Sequence, residues 1–331
     1  MLPNSLGWVI AVLIMGGLIS IVAAYGYKSI SKFANIAAPW MELVFLVFGL
    51  VGIKQFIDAT GITIRSTGDL WGLAQSHIWK GGQPLEGQIK FSLWHIAFFA
   101  WFCNMGMHIG MSDLSVFRFA RKSWYSISTA AGMYVGHFMA WLCASVLYAY
   151  QLYLDPTDTD VLPGLLAFRA TGLVGLLCVI ISGWSTANPM IYRSGLAFQA
   201  IVPKTSRFVA TLITGAIATV AGLFPAIAMK LLSFVALYGL LLMPMGAVIF
   251  VVFLLIRRFG LQNNYALRSQ STFNWAAGLT WFLTLAICTC LVWFSGVQIF
   301  FVSLPGWFIA AILYILISKI YQQNIRPSKE I

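Results

Sequence analysis

The chain has 331 residues, 60% of them hydrophobic and 9% charged, with a formal net charge of +11. Soluble domains carry about 25% charged residues, and a mean hydropathy of +0.87 leaves too little polar surface to wrap a water-soluble core, which excludes soluble enzymes and disordered tails. The 20 Lys and Arg are scattered between long apolar runs and form no clustered basic face for nucleic acid, so the composition specifies an all-α polytopic membrane protein whose partner is the lipid bilayer.

A spanning helix needs about 20 mostly apolar residues. Nine runs meet that length, at 6–25, 39–57, 93–112, 124–150, 164–188, 207–227, 230–256, 274–295 and 300–321, and together they make one integral membrane domain over 1–331. Residues Met1 to Ser5 hold no Lys or Arg, so the basic start of a cleavable secretion signal is missing. Between the second and third runs, Asp58 to Ser92 forms the one long polar loop, with a short interfacial helix expected around Leu70 to Trp79. The fifth run can continue past Pro189 as far as Ile201, and the seventh carries Pro244 between Gly239 and Gly246, which predicts a kink. All five cysteines, Cys103, Cys143, Cys178, Cys288 and Cys290, lie in apolar runs and read as small packing residues.

Basic residues alternate between the two sets of loops. One set holds Lys28 and Lys32, then Arg118, Arg121 and Lys122, then Arg193, Lys204 and Arg207, then Arg257, Arg258 and Arg268, then Lys319, Arg326 and Lys329. The other holds Lys54, Arg65, Lys80, Lys90 and Lys230 together with most of the acids, including Asp155, Asp158 and Asp160. Loops rich in Lys and Arg stay in the cytoplasm, which places the C-terminus inside and the N-terminus outside, in a bacterial inner (plasma) membrane. An outside start with nine spans is most simply explained by an odd number of helices missing upstream.

No zinc-ligand spacing, phosphate-binding glycine loop or serine-hydrolase elbow occurs, and the four histidines (His77, His95, His108 and His137) are dispersed. The chain therefore reads as a non-enzyme without a cofactor. The third run places Trp101, Asn104, Gly106, His108 and Gly110 near mid-membrane, where polar side chains are costly and face protein or water. Two structures suit it: a helix broken at its glycines, freeing backbone groups for a substrate, or a continuous helix packed closely through them. The fifth run carries Ser182, Ser185, Thr186 and Asn188 ahead of Pro189. Their oxygens suit a sodium ion or a polar solute, and the hydroxyls at i, i+3 and i+4 can share a face. The alternative is that they bond back to their own helix. His137 reads as a packing residue, and Asp113 with Arg118, Arg121 and Lys122 as the polar end of the third span.

Three segments together resemble the nucleobase:cation symporter family, of the purine-cytosine permease type. Asp113-Leu-Ser-Val-Phe-Arg-Phe-Ala-Arg121 resembles its Asp-x-Ser-Arg-Tyr motif with one extra residue. Trp184-Ser-Thr-Ala-Asn-Pro-Met-Ile-Tyr-Arg-Ser-Gly-Leu-Ala-Phe198 resembles the eighth-helix pattern, and Tyr25 to Pro39 resembles the linker between its fourth and fifth helices. The resemblance implies a partial leucine-transporter-type inverted repeat, with the nine spans matching helices four to twelve. It implies a symporter of a nucleobase, nucleoside or similar small heterocycle, coupled to sodium or protons. Substrate would meet Trp101, Asn104, Gly106, His108 and Asn188, and sodium would meet Ser182, Ser185 and Thr186. Ala187 and Pro189 stand where the family pattern has Asn, and Val251 and Val252 lie where an Asp is common. The other reading is a truncated or non-transporting membrane protein that needs a partner.

Overall fold

The computed structural model describes residues 5–79, 90, 92–95, 97, 113–226, 231–263 and 265–324. Among these there is no strand, and seven helices are long and apolar enough to cross a membrane. The protein is an all-α polytopic membrane protein. Most of the third predicted span, with Trp101, Cys103, Asn104, Gly106, His108 and Gly110, lies outside the described residues.

The first unit comprises Met1–Lys90 and Phe119–Pro225. Helix α1 (Leu6–Ala24) starts where the Ser5 hydroxyl accepts from the Trp8 amide at 3.3 Å. Helix α2 (Tyr27–Thr60) has 34 residues, about 50 Å at 1.5 Å per residue, against a hydrocarbon core of about 30 Å. The linker expected over residues 26–38 is thus helical, a correction with a clear cause. Ile30, Ala37, Val44, Phe48 and Phe56 are all buried on α2, and their spacings of seven, seven, four and eight residues continue one stripe through the expected linker. Pro39 lies inside the helix without ending it, as prolines in membrane helices often do. Gly61, at φ +69°, closes α2.

The long loop carries α3 (Thr67–Leu73), widening into a π-type turn over Ala74–Ile78, at the expected place. Ser66 and Asp69 cap it reciprocally. The Asp69 carboxylate accepts from the backbone amides of Arg65 and Ser66, both at 2.8 Å, and these bonds hold its carboxyl below the ordinary carboxylate value. Phe56, fully buried, meets Tyr150 and Tyr153 edge-on and His77 at a tilt, which ties this loop to the end of the next helix.

Helix α4 (Tyr125–Leu154) is followed by the acidic loop. Gln151, 5% exposed, clamps that loop by donating to the carbonyls of Asp158 and Asp160, both at 2.9 Å. The predicted fifth span is two helices, α5 (Pro163–Thr171) and α6 (Leu173–Ile201). They break at Gly172, whose φ of +63° and ψ of −137° only glycine adopts readily. Helix α6 does continue through Pro189 to Ile201. Helix α7 (Arg207–Gly222) has 16 residues, shorter than the predicted 207–227, because the helix stops at Leu223 before Pro225.

Between membrane helices the lipid is as apolar as leucine, so association rests on close approach through small residues. Gly195 of α6 abuts the Thr211 side chain of α7, and Gly215 of α7 abuts Ser20 of α1. Gly49 of α2 lies so close to α4 that a Cβ there would stand 2.7 Å from the Cys143 sulfur. Val44, Phe48, Cys143, Leu147, Ala167 and Cys178 fill the space between α2, α4, α5 and α6.

The second unit comprises Phe91–Arg118 and Ala226–Ile331. Its described long helices are α8 (Leu231–Phe250), α9 (Trp275–Ser295) and α10 (Ile299–Asn324). Helix α8 runs through Pro244 and loosens into a π-type turn at Val251–Leu255, then a 3-10 turn at Ile256–Phe259. The helical irregularity therefore falls about two to three turns beyond Pro244. Ala247, Val251, Ile256, Ala276, Ala310 and Tyr314 form one core cluster, and Leu240, Met243, Cys288 and Val302 another.

The outward surface is apolar, with Leu6, Trp293 and Phe294 each more than three-quarters exposed. This inversion of a soluble protein's pattern is what a lipid solvent selects.

Candidate functional site

Helix α6 carries the polar residues that the sequence singles out. Cys178, Asn188, Tyr192 and Gly195 are buried along one stripe, and Ser182 and Ser185 are half-buried between them. Ser182 donates to the Cys178 carbonyl at 2.7 Å and also meets the Met41 sulfur of α2 at 3.2 Å. Ser185 and Thr186 both donate to the Ser182 carbonyl at 3.1 Å. All three hydroxyls thus bond back to their own helix, but each oxygen keeps lone pairs. Thr186 is exposed, so the expected shared face holds for Ser182 and Ser185 and leaves Thr186 at its edge. A helix crowds one side of each residue, and the 40° rotation from Ser182 to Thr186 is enough to carry it off the buried stripe.

Three fully buried threonines are satisfied in the same way, whereas the Ser303 hydroxyl of the second unit has no partner among the described residues. Thr211, Thr280 and Thr284, each 0% exposed, donate to carbonyls four residues back at 2.7–2.8 Å. Asn188 differs. It is 0% exposed, and neither its carboxamide oxygen nor its nitrogen has a hydrogen-bond partner among the described residues. It sits midway along α6, and a buried unpaired polar group costs about 1–3 kcal/mol.

Two features surround it. Pro189 has no N–H to give to the Ser185 carbonyl, so a backbone acceptor is freed one turn before the proline. Trp184, one turn before Asn188, has a buried indole N–H with no partner among the described residues, and its ring stacks on Phe33 of α2 with centroids 5.1 Å apart and planes at 27°. Trp184 was not among the predicted binding residues. Its signal was its position four residues before Asn188, on the same helical face. One turn beyond Asn188, Tyr192 is fully buried beneath the Arg207 guanidinium of α7, 6.0 Å from the ring centroid.

The arrangement places donors (the Asn188 amide and Trp184 indole) and acceptors (the Asn188 and Ser185 oxygens and the hydroxyls) along about two turns of one helix. His137 lies away from it, exposed on α4 and bonded to the Met133 carbonyl at 2.8 Å. Among the described residues no group of three or more His, Cys, Asp or Glu side chains could hold a metal ion. Comparison with protein families, with curated proteins and with solved structures finds no match.

Proposed function

We propose that the chain is a secondary active transporter that carries a small planar heterocycle, such as a nucleobase or nucleoside, by alternating access coupled to sodium or protons. The observation that carries this reading is Asn188, a carboxamide buried at mid-helix with both polar atoms unpaired among the described residues. One carboxamide offers a donor and an acceptor side by side, the complement of an N–H beside a carbonyl on a heterocyclic ring. Trp184 adds a second donor one turn away.

A site left unpaired when empty gains most from a ligand that completes its hydrogen bonds and rejects analogues that lack them. The hydroxyl oxygens of Ser182, Ser185 and Thr186 and the Ser185 carbonyl are hard ligands of the kind sodium takes at disrupted membrane helices. Sodium would be a co-substrate there. In this reading the C-terminus lies in the cytoplasm of a cell with the protein in its plasma membrane, following the Lys and Arg distribution.

The test is uptake into proteoliposomes under an imposed sodium or proton gradient, across a panel of nucleobases, nucleosides and ring vitamins. Gradient-dependent uptake of one compound that falls about 10-fold or more in Asn188→Ala supports the proposal, that factor being one buried hydrogen bond. Absence of gradient-dependent uptake across the panel refutes it and leaves the non-transporting reading.

A further inference from the structure

The second unit contains a cavity of about 300 Å³ that the transport reading does not use. It lies where three helices end: beyond the π-type turn after α8, at the first turn of α9 and in the last turns of α10. Helix ends of a membrane bundle lie at the depth of the lipid headgroups. Three tyrosines line the cavity, Tyr265, Tyr314 and Tyr321, a residue enriched at that depth. Tyr265 and Tyr321 meet edge to face at 5.9 Å, and Gln262 and Gln322 tie the wall together, the Gln262 amide donating to the Gln322 side chain at 2.9 Å.

The polar lining donates. Ser318 is only 3% exposed, lines the cavity and makes no hydrogen bond among the described residues. Asn274 caps α9 by accepting from the Ala277 amide at 3.2 Å. Ala276, whose amide belongs to the same first turn, also faces the cavity, and the positive end of the helix dipole points there.

The surrounding charge has one sign. From Val161 to Lys329 the sequence contains no Asp or Glu. Arg257 and Arg258 stand in the turn before Gln262, Arg268 ends the short helix begun by Tyr265, and Lys319 follows Ser318, all four exposed. A cation would meet uncompensated repulsion.

We propose that this cavity binds a phosphate-bearing anion, held by Ser318, the tyrosine hydroxyls and the first turn of α9, with Arg268 and Lys319, which follow the lining residues Leu267 and Ser318 in sequence, adding positive charge. Its volume suits a headgroup, and basic pockets between membrane helices take anionic lipids. An anionic phospholipid and free inorganic phosphate share this chemistry.

The test uses the full chain purified in detergent, with phosphatidylglycerol, phosphatidylcholine and inorganic phosphate as probes, read by native mass spectrometry and thermal unfolding. Retention of phosphatidylglycerol over phosphatidylcholine, reduced about 10-fold in the Arg268→Gln/Lys319→Gln double variant, supports the proposal and identifies a lipid. A rise in Tm with phosphate but not with chloride at matched ionic strength, lost in the same variant, supports it and identifies the free anion. Ser318→Leu, which fills the cavity, should abolish either response. The double variant changes only exposed side chains, so it reads out even where Ser318→Leu does not fold. Equal retention of the two lipids with no response to phosphate overturns the proposal, as does a response that both variants leave intact.

Discussion

Asn188 offers a prediction that runs against the usual cost of truncating a buried side chain. Its carboxamide is fully buried with both polar atoms unpaired among the described residues, a penalty of about 1–3 kcal/mol for each atom. Asn188→Ala removes both atoms and leaves a small void whose lost contacts cost about 1 kcal/mol. The ligand-free variant should therefore be more stable than the parent by about 1 kcal/mol or more, a rise in Tm on the order of 2 °C. Ligand reverses the order. At 100 times its Kd a ligand stabilises the parent by about 2.7 kcal/mol. If the lost hydrogen bonds weaken binding about 100-fold, the same concentration stabilises the variant by only about 0.4 kcal/mol. Thermal unfolding in detergent, with and without ligand, measures both effects. A ligand-free Asn188→Ala protein less stable than the parent by more than about 1 kcal/mol would refute the reasoning, because the carboxamide would then have a partner that the empty site supplies.

Three further predictions concern the scaffold. Gly195→Leu drives a side chain into Thr211 and should separate α6 from α7, with a loss of about 1–3 kcal/mol and a matching fall in folded protein recovered from membranes. Gly172→Ala should cost about 1–3 kcal/mol through its φ of +63° alone, since nothing stands within 4 Å, whereas Gly132→Ala, equally open within α4, should be neutral or stabilising by up to about 1 kcal/mol; unfolding of the pair side by side separates backbone strain from packing. The Asp69 carboxyl, held below its ordinary value of 3.8 by the amides of Arg65 and Ser66, should contribute to the α3 cap above that pH, and the contribution should vanish as pH falls through the depressed value. NMR titration of labelled aspartate checks this: a midpoint below 3.8 that moves up in Ser66→Ala is expected, and an unshifted midpoint contradicts it.

The membrane class was legible because apolar runs of about 20 residues have no other stable home, and most helix positions follow directly from them. The helical start of α2 was legible too, in the spacing of Ile30, Ala37 and Val44, but its lysines drew attention to topology ahead of periodicity. Gly172 could not be recognised as a break, because a glycine within an apolar run serves equally well as a packing contact, and only the backbone angles distinguish the two. At the site, the polar cluster before Pro189 marked the right helix, yet composition could not tell that Ser182, Ser185 and Thr186 bond to their own backbone while Asn188 bonds to nothing. Serine, threonine and asparagine can all bond to nearby backbone, so which of them does so is set by the packing around each side chain and not by residue type. The cavity at Tyr265, Tyr314 and Tyr321 joins residues as far apart in sequence as Val252 and Gln322, a separation at which no local pattern signals contact.

The measurement that bears most directly on the central claim is equilibrium binding of radiolabelled heterocycles to the purified full chain, in sodium and in potassium and across pH, for the parent and Asn188→Ala. The account predicts saturable binding of at least one ring compound, strengthened by sodium or by protons and weakened about 10- to 100-fold in the variant. Binding that Asn188→Ala leaves unchanged, or no binding across the panel, would contradict it.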